Sequence, residues 1–209
     1  MHRVLCLTAV VLGWALAAAA GVGAAEPAEK PKEAAPLKKI RAADCVYVPT
    51  PNDVVEKMLD MVKPKKGELL YDLGCGDGRI VVMAARKYGC KAVGFEIVPE
   101  LVEKGRKTIE KRKLQDLASI EQADIFKLDY SKANVVTLYL LPGMILKLVP
   151  QLEKLKPGSR IVAHDYSIGG FKADKTVTMT SKEDGVKHTI LLYTLPLKKG
   201  TDADTDADE

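Results

Sequence analysis

Cysteine and histidine are scarce in this sequence of 209 residues, four and three respectively. No spacing among them suggests a metal site, so no metal is expected. The cysteines form no disulfide framework either. Cys6 lies in the N-terminal apolar run, and Cys45, Cys75 and Cys90 remain, an odd number that reads as three buried thiols. No G-x-S-x-G elbow is present, which removes the hydrolases built on it. No G-K-[ST] follows a glycine turn, which removes the phosphate-loop nucleotidases. No repeat of solenoid length occurs. The formal net charge is only +4, and no basic stripe is interleaved with aromatics, so nucleic acid is not an expected partner.

What is present divides the chain. Apolar residues make up 47% and charged residues 29%, an ordinary globular balance. Met-His-Arg opens the chain, and Val4 to Ala25 then runs 22 residues without a charge. The run ends in small residues suited to cleavage after Ala25. Residues 1–25 are therefore expected to be a cleaved signal peptide, with export to the periplasm or beyond. The run is also long enough to span a bilayer uncleaved. Lys30, Lys32, Lys38, Lys39 and Arg41 follow it, and by the positive-inside rule such an anchor would leave the body in the cytoplasm. Residues 26–39, rich in Pro, Ala and Lys, read as a flexible linker. Residues 40–197 read as the folded body, and residues 198–209 as a disordered acidic tail. Between residues 26 and 201 there are 31 Lys and Arg against 23 Asp and Glu, so the body is basic while the tail is acidic.

The body alternates strand and helix patterns. Residues 52–62 have helical spacing, with Asn52 or Asp53 placed to cap it. Short apolar strands follow around residues 67–74, 91–97, 118–124 and 134–140, separated by helical stretches. The last helical stretch is expected to be kinked near Pro150. A strand at residues 159–166 and a hairpin through Lys182–Gly185 complete the body. This is an α/β pattern: a mainly parallel sheet, helices on both faces, and an antiparallel terminal hairpin. Ligands of such sheets bind beyond the carboxyl ends of the strands.

The first strand ends in Y-D-L-G-C-G-D-G-R-I, residues 71–80. Gly74, Gly76 and Gly78 permit unusual backbone angles and the close approach of a ligand. A helix beginning near Asp77 points its amide end there. The dinucleotide pattern is G-x-G-x-x-G, and Arg79 stands where its third glycine would be. Asp72 would repel a pyrophosphate and suits an ammonium group. Glu96 ends the second strand, where an acid can accept ribose hydroxyls. Asp124 ends the third, placed to receive an adenine amino group.

With these residues the chain resembles the class I S-adenosylmethionine-dependent methyltransferases over about residues 45–196. The resemblance implies a Rossmann-like, seven-stranded sheet with S-adenosyl-L-methionine as cofactor. Asp72 and the turn Gly74, Cys75, Gly76 and Gly78 would hold its methionine end, Glu96 and Ile97 its ribose, Asp124 and Ile125 its adenine. Y-V-P-T-P (residues 47–51), D-L-G-C-G-D-G-R-I-V and L-L-P-G-M (residues 140–144) are similar to the mitochondrial lysine methyltransferases of the adenine nucleotide carrier and the ATP synthase c-subunit. That likeness adds Tyr47 and Thr50 to the cofactor residues. Cys75 replaces that family's serine, and its asparagine-proline after the ribose acid is absent. A-H-D-Y (residues 163–166) is shared with bacterial methyltransferase-domain proteins.

Methyl transfer from a sulfonium is an in-line displacement in which the protein aligns the acceptor and excludes water. Candidate catalytic residues are Tyr139 and Pro142 after the fourth strand, and His164 and Asp165 at the end of the fifth. His188 reads as structural. The expected activity is methyl transfer to a protein lysine or another amine, with a protein or small-molecule acceptor and an association with membranes. A non-catalytic S-adenosylmethionine-binding or nucleoside-binding module is the alternative, and a nucleotide-dependent oxidoreductase stands behind it.

Overall fold

The computed structural model describes residues 37 and 40–200. The N-terminal apolar run, nearly all of the linker and residues 201–209 of the acidic tail lie outside them. Helix α1 (Asn52–Val62) leads into strand β1 (Leu69–Leu73) and helix α2 (Arg79–Tyr88). Strand β2 (Lys91–Glu96), helix α3 (Pro99–Lys111) and strand β3 (Ala118–Gln122) follow. A 3-10 turn at Ile125–Lys127 precedes β4 (Val135–Leu138), α4 (Pro142–Leu152) and β5 (Arg160–His164). The chain ends with β6 (Phe171–Lys172), β7 (Lys175–Thr180), β8 (Lys187–Thr194) and β9 (Lys198–Lys199).

Seven strands form one sheet in the order β3-β2-β1-β4-β5-β8-β7. The pairs among β1 to β5 are parallel, and β8 runs antiparallel to both β5 and β7. The reversal at β8 is the expected terminal hairpin. A two-stranded ribbon of β6 and β9 departs from the sequence expectation; it extends the ordered body from Leu197 to Lys199.

The two faces of the sheet are covered unequally. Val54, Met58 and Leu59 of α1, Val81 of α2 and Val102 of α3 pack with Leu70, Val135 and Val162 on one face. Ile145, Leu148 and Leu152 of α4 pack with Leu73, Val136 and Ile161 on the other. Adjacent Val135 and Val136 thus serve opposite cores, as the alternation of a strand requires. All four residues of β4 are buried, which fits its place in mid-sheet.

The start of α1 differs from expectation. α1 is preceded by Pro51 and has no side-chain cap; the Asp53 carboxylate instead accepts from Ser181 Oγ (2.9 Å) and Lys182 N (2.7 Å), tying α1 to the turn before β8. α2 begins at Arg79, after Gly78, and stops at left-handed Gly89. α4 continues two residues beyond Pro150. Of the three described cysteines, Cys75 and Cys90 are buried, whereas Cys45 is exposed.

Candidate functional site

A pocket opens at the carboxyl ends of β1, β2 and β4. Its walls include Asp72, Gly74 and Cys75 from β1 and its turn, Glu96 and Ile97 from β2, and Tyr139, Leu140 and Met144 beyond β4. The segment 41–50, which has no helix or strand, lies along it and contributes Arg41, Tyr47 and Thr50.

The glycine turn is shaped by what presses on it. Gly74, Gly76 and Gly78 have φ of +76°, +54° and +77°, all left-handed. A Cβ on Gly76 would fall 2.1 Å from the Tyr47 ring, so only glycine lets that ring lie against the turn. A Cβ on Gly78 would meet Ile120 Cδ1 at 2.4 Å, and one on Gly105 of α3 would meet the same atom at 2.2 Å. Gly78 therefore serves helix and strand packing rather than the pocket wall.

Asp72 is buried, and register pairs it with Thr137 on β4, whose hydroxyl donates to Asp72 Oδ1 at 2.6 Å. Asp72 Oδ2 is buried and has no partner. Burial pushes the Asp72 carboxyl up to about 7; the Thr137 hydrogen bond opposes this, and Glu96 and Asp77 add to it. An unpartnered carboxylate oxygen in such a place fits a ligand's ammonium group.

Glu96 receives three backbone N–H groups: Gly76 N at 2.9 Å, Ile97 N at 2.8 Å and Val98 N at 3.0 Å. A carboxylate offers about four acceptor sites, so Glu96 shapes the turn and keeps capacity for a ribose hydroxyl. Asp124 is already engaged. Arg41 donates to it through Nε at 2.9 Å and Nη2 at 3.1 Å, and Phe126 N donates at 3.2 Å. Those bonds, with the Arg41 bond leading, hold Asp124 below the usual carboxylate range. Asp124 and Gly78 are absent from the pocket lining, whereas Ile125 is part of it.

Sequence reasoning passed over both arginines. Arg79 donates to both oxygens of Asp77, at 3.0 and 2.9 Å, and to the Thr50 carbonyl at 2.8 Å, joining the turn to segment 41–50. Its occupation of the third-glycine place was the available signal. Arg41 had none, because its partner lies 83 residues away.

Tyr139 lines the pocket and its ring packs on His164 at 4.0 Å between centroids. Pro142 is the first residue of α4 and does not line the pocket. His164 and Asp165 stand behind Tyr139 and join His188, which is more than a packing residue. His164 Nε2 lies 2.9 Å from His188 Nδ1, and Asp165 Oδ2 lies 3.2 and 3.1 Å from those two atoms. Thr50, a pocket residue, meets His164 Nδ1 at 3.1 Å. Burial pushes the His164 imidazole down to about 4.

Comparison with known proteins agrees with this geometry. The family model of the ANTKMT methyltransferase domain matches residues 72–175. A protein-lysine N-methyltransferase of Saccharolobus islandicus is 43% identical over 152 residues, which are 71% of this chain and 92% of that relative. The human lysine N-methyltransferase of the ATP synthase c-subunit is 34% identical over 118 residues, which are 56% of this chain and only 50% of that relative. A crystal structure described as an RNA methyltransferase from Salinibacter ruber, in complex with S-adenosyl-L-homocysteine, is 43% identical with a TM-score of 0.65; the match covers 76% of this chain and 99% of that one. The seven-stranded order, the partnerless Asp72 oxygen beside the glycine turn, and relatives matched over nearly their whole length make this chain a class I S-adenosylmethionine-dependent methyltransferase of the family that carries the ANTKMT methyltransferase domain.

Proposed function

We propose that the methyl acceptor is the side-chain amine of a protein lysine. S-adenosylmethionine supplies a methyl group on its sulfonium. Asp72 and the glycine turn bind and orient its amino-acid end, and Glu96 its ribose. Tyr139, Leu140 and Met144 form the pocket wall beyond β4, and the observation that carries the proposal is that this wall has no charged side chain. An apolar wall removes water from an entering amine and favours its neutral, nucleophilic form. Around it Val46, Val48, Leu141 and Leu146 are exposed, at 86%, 58%, 44% and 63%. Exposed apolar residues of this kind suit a protein acceptor.

The Saccharolobus and human relatives named for lysine support this reading, and the Salinibacter structure is described as acting on RNA. A phosphate backbone needs unpaired cations at the site. The basic residues lining the pocket are Arg41 and Arg79, and each is held by carboxylates, Asp124 with Asp44 and Asp77 respectively. The deciding assay incubates the full chain with methyl-labelled cofactor and, separately, total protein and total RNA. Label is expected as methyl-lysine after hydrolysis of the protein. Label confined to nucleosides overturns the acceptor while leaving the family intact.

We also propose that the uncharged run Val4–Ala25 brings the body to a membrane or across it. No helix among the described residues is long and apolar enough to cross one, so such a role falls to that run.

A further inference from the structure

The cluster behind Tyr139 brings three possible metal-ligand atoms to one point. His164 Nε2, His188 Nδ1 and Asp165 Oδ2 form a nearly equilateral triangle with sides of 2.9, 3.1 and 3.2 Å. The outer nitrogens have partners of their own. His188 Nε2 lies 3.2 Å from Asp184 Oδ2, a carboxylate able to accept the proton of a neutral His188 there and free Nδ1 to ligate. His164 Nδ1 lies 3.1 Å from Thr50 Oγ1, a hydroxyl able to accept a proton from Nδ1. With its proton on the outer nitrogen, each ring turns a lone pair to the inner point, where the Asp165 oxygen adds a third. Three donor atoms converging this closely form a ready site for a cation at their common point.

We propose that His164, Asp165 and His188 bind one divalent transition-metal ion of the zinc type. Zinc bonds to imidazole nitrogen and carboxylate oxygen at about 2.0–2.2 Å. At that bond length an ion over this triangle stands about 1 Å out of its plane, with three protein ligands and a position left for a further ligand. Two imidazoles with one carboxylate suit zinc or cobalt, whereas magnesium and calcium prefer all-oxygen sets. The outer contacts are those of ligating histidines, whose second ring nitrogen is held by a carboxylate or hydroxyl that fixes the tautomer. Asp165 is held in place as well: its backbone is left-handed at φ +60°, and its Oδ1 accepts from Thr189 N at 2.8 Å. The Asp165 side chain is 27% exposed while the rings are 0% and 7%, so an ion enters from the Asp165 side. Bound there, it joins the end of β5 to β8 and sets the floor on which Tyr139 rests.

The test uses the full chain, stripped with a chelator and titrated with Zn²⁺, Co²⁺ or Mg²⁺. Calorimetry is expected to give about one zinc per chain and thermal scans a higher Tm. Cobalt is expected to give visible bands of low-symmetry nitrogen and oxygen coordination, and magnesium no effect. His188→Gln and Asp165→Asn are each expected to lose about tenfold or more in affinity, with circular dichroism verifying that they fold. The titration of the parent chain decides even if a variant does not fold. A stripped parent chain that takes up neither zinc nor cobalt overturns the proposal and leaves ring N–H hydrogens to bridge the three inner atoms. Unchanged affinity in folded variants overturns it equally.

Discussion

Asp72 is a carboxylate folded where water does not reach it. Burial raises it to about 7, against the Thr137 hydrogen bond and with the help of Glu96 and Asp77. A folded-state value above the ordinary one favours the neutral form. The stability it contributes is present in acid and is lost as pH rises from about 4 towards 7. Asp72→Asn is therefore expected to melt higher than the parent at pH 8 without ligand, a gain that shrinks near pH 4. The same change removes the charge that faces the ligand's ammonium, and hydrogen bonds to charged groups are worth about 1.5–3 kcal/mol. Cofactor affinity should fall by about tenfold or more, and parent affinity should itself fall as pH drops below about 7 and Asp72 takes up its proton. Thermal scans and calorimetry with S-adenosylhomocysteine at both pH values check this. An asparagine variant that binds as tightly as the parent removes Asp72 from the site.

Among the elements, segment 41–50 has no regular structure of its own and is held at both ends. Arg41 fixes one end to Asp124, and Arg79 holds the Thr50 carbonyl at the other. Arg41→Ala is expected to loosen the segment and release the cofactor about fivefold faster, as losing one half-exposed ion pair of about 1 kcal/mol implies. Stopped-flow displacement measures that rate; an unchanged rate means the segment does not close the pocket. The regular elements were legible in the sequence because helix and strand periods are local. Asn52–Val62 carries its stripe of Val55, Met58, Leu59 and Val62 openly. Asp72, Glu96 and the glycine turn were legible because strand ends converge in a parallel sheet. The rest depended on contacts between distant positions. No local pattern shows that Asp124 is occupied by Arg41, that Asp53 reaches across to Ser181, or that His188 turns towards His164. The β6–β9 ribbon has two residues per strand, too few for a period to register.

At the scale of the molecule, three helices cover one face of the sheet and α4 is the main helix on the other. Under the proposed function the acceptor wall includes Met144 near the start of α4, on the sparsely covered face. The proposal of membrane delivery predicts that cell fractionation finds the chain in the membrane or exported fraction. N-terminal sequencing then separates a chain cut after Ala25 from one that keeps residues 1–25. A chain that is uncut and wholly in the soluble cytoplasmic fraction overturns the proposal.

The methyl end of Ile120 links the glycine turn to α3, a helix that lines the pocket itself only through Leu101. Gly78 in the turn and Gly105 in α3 both close on that one carbon, and a side chain at Gly105 would also press on the Asp77 carbonyl at 3.2 Å. The turn and the third helix therefore locate each other through a shared peg. A methyl group added at Gly105 acts as a change in the cofactor loop, although residue 105 belongs to the scaffold. Changes at these positions of the chain are thus tied together: the loop can alter its third glycine only as far as the helix and Ile120 alter with it.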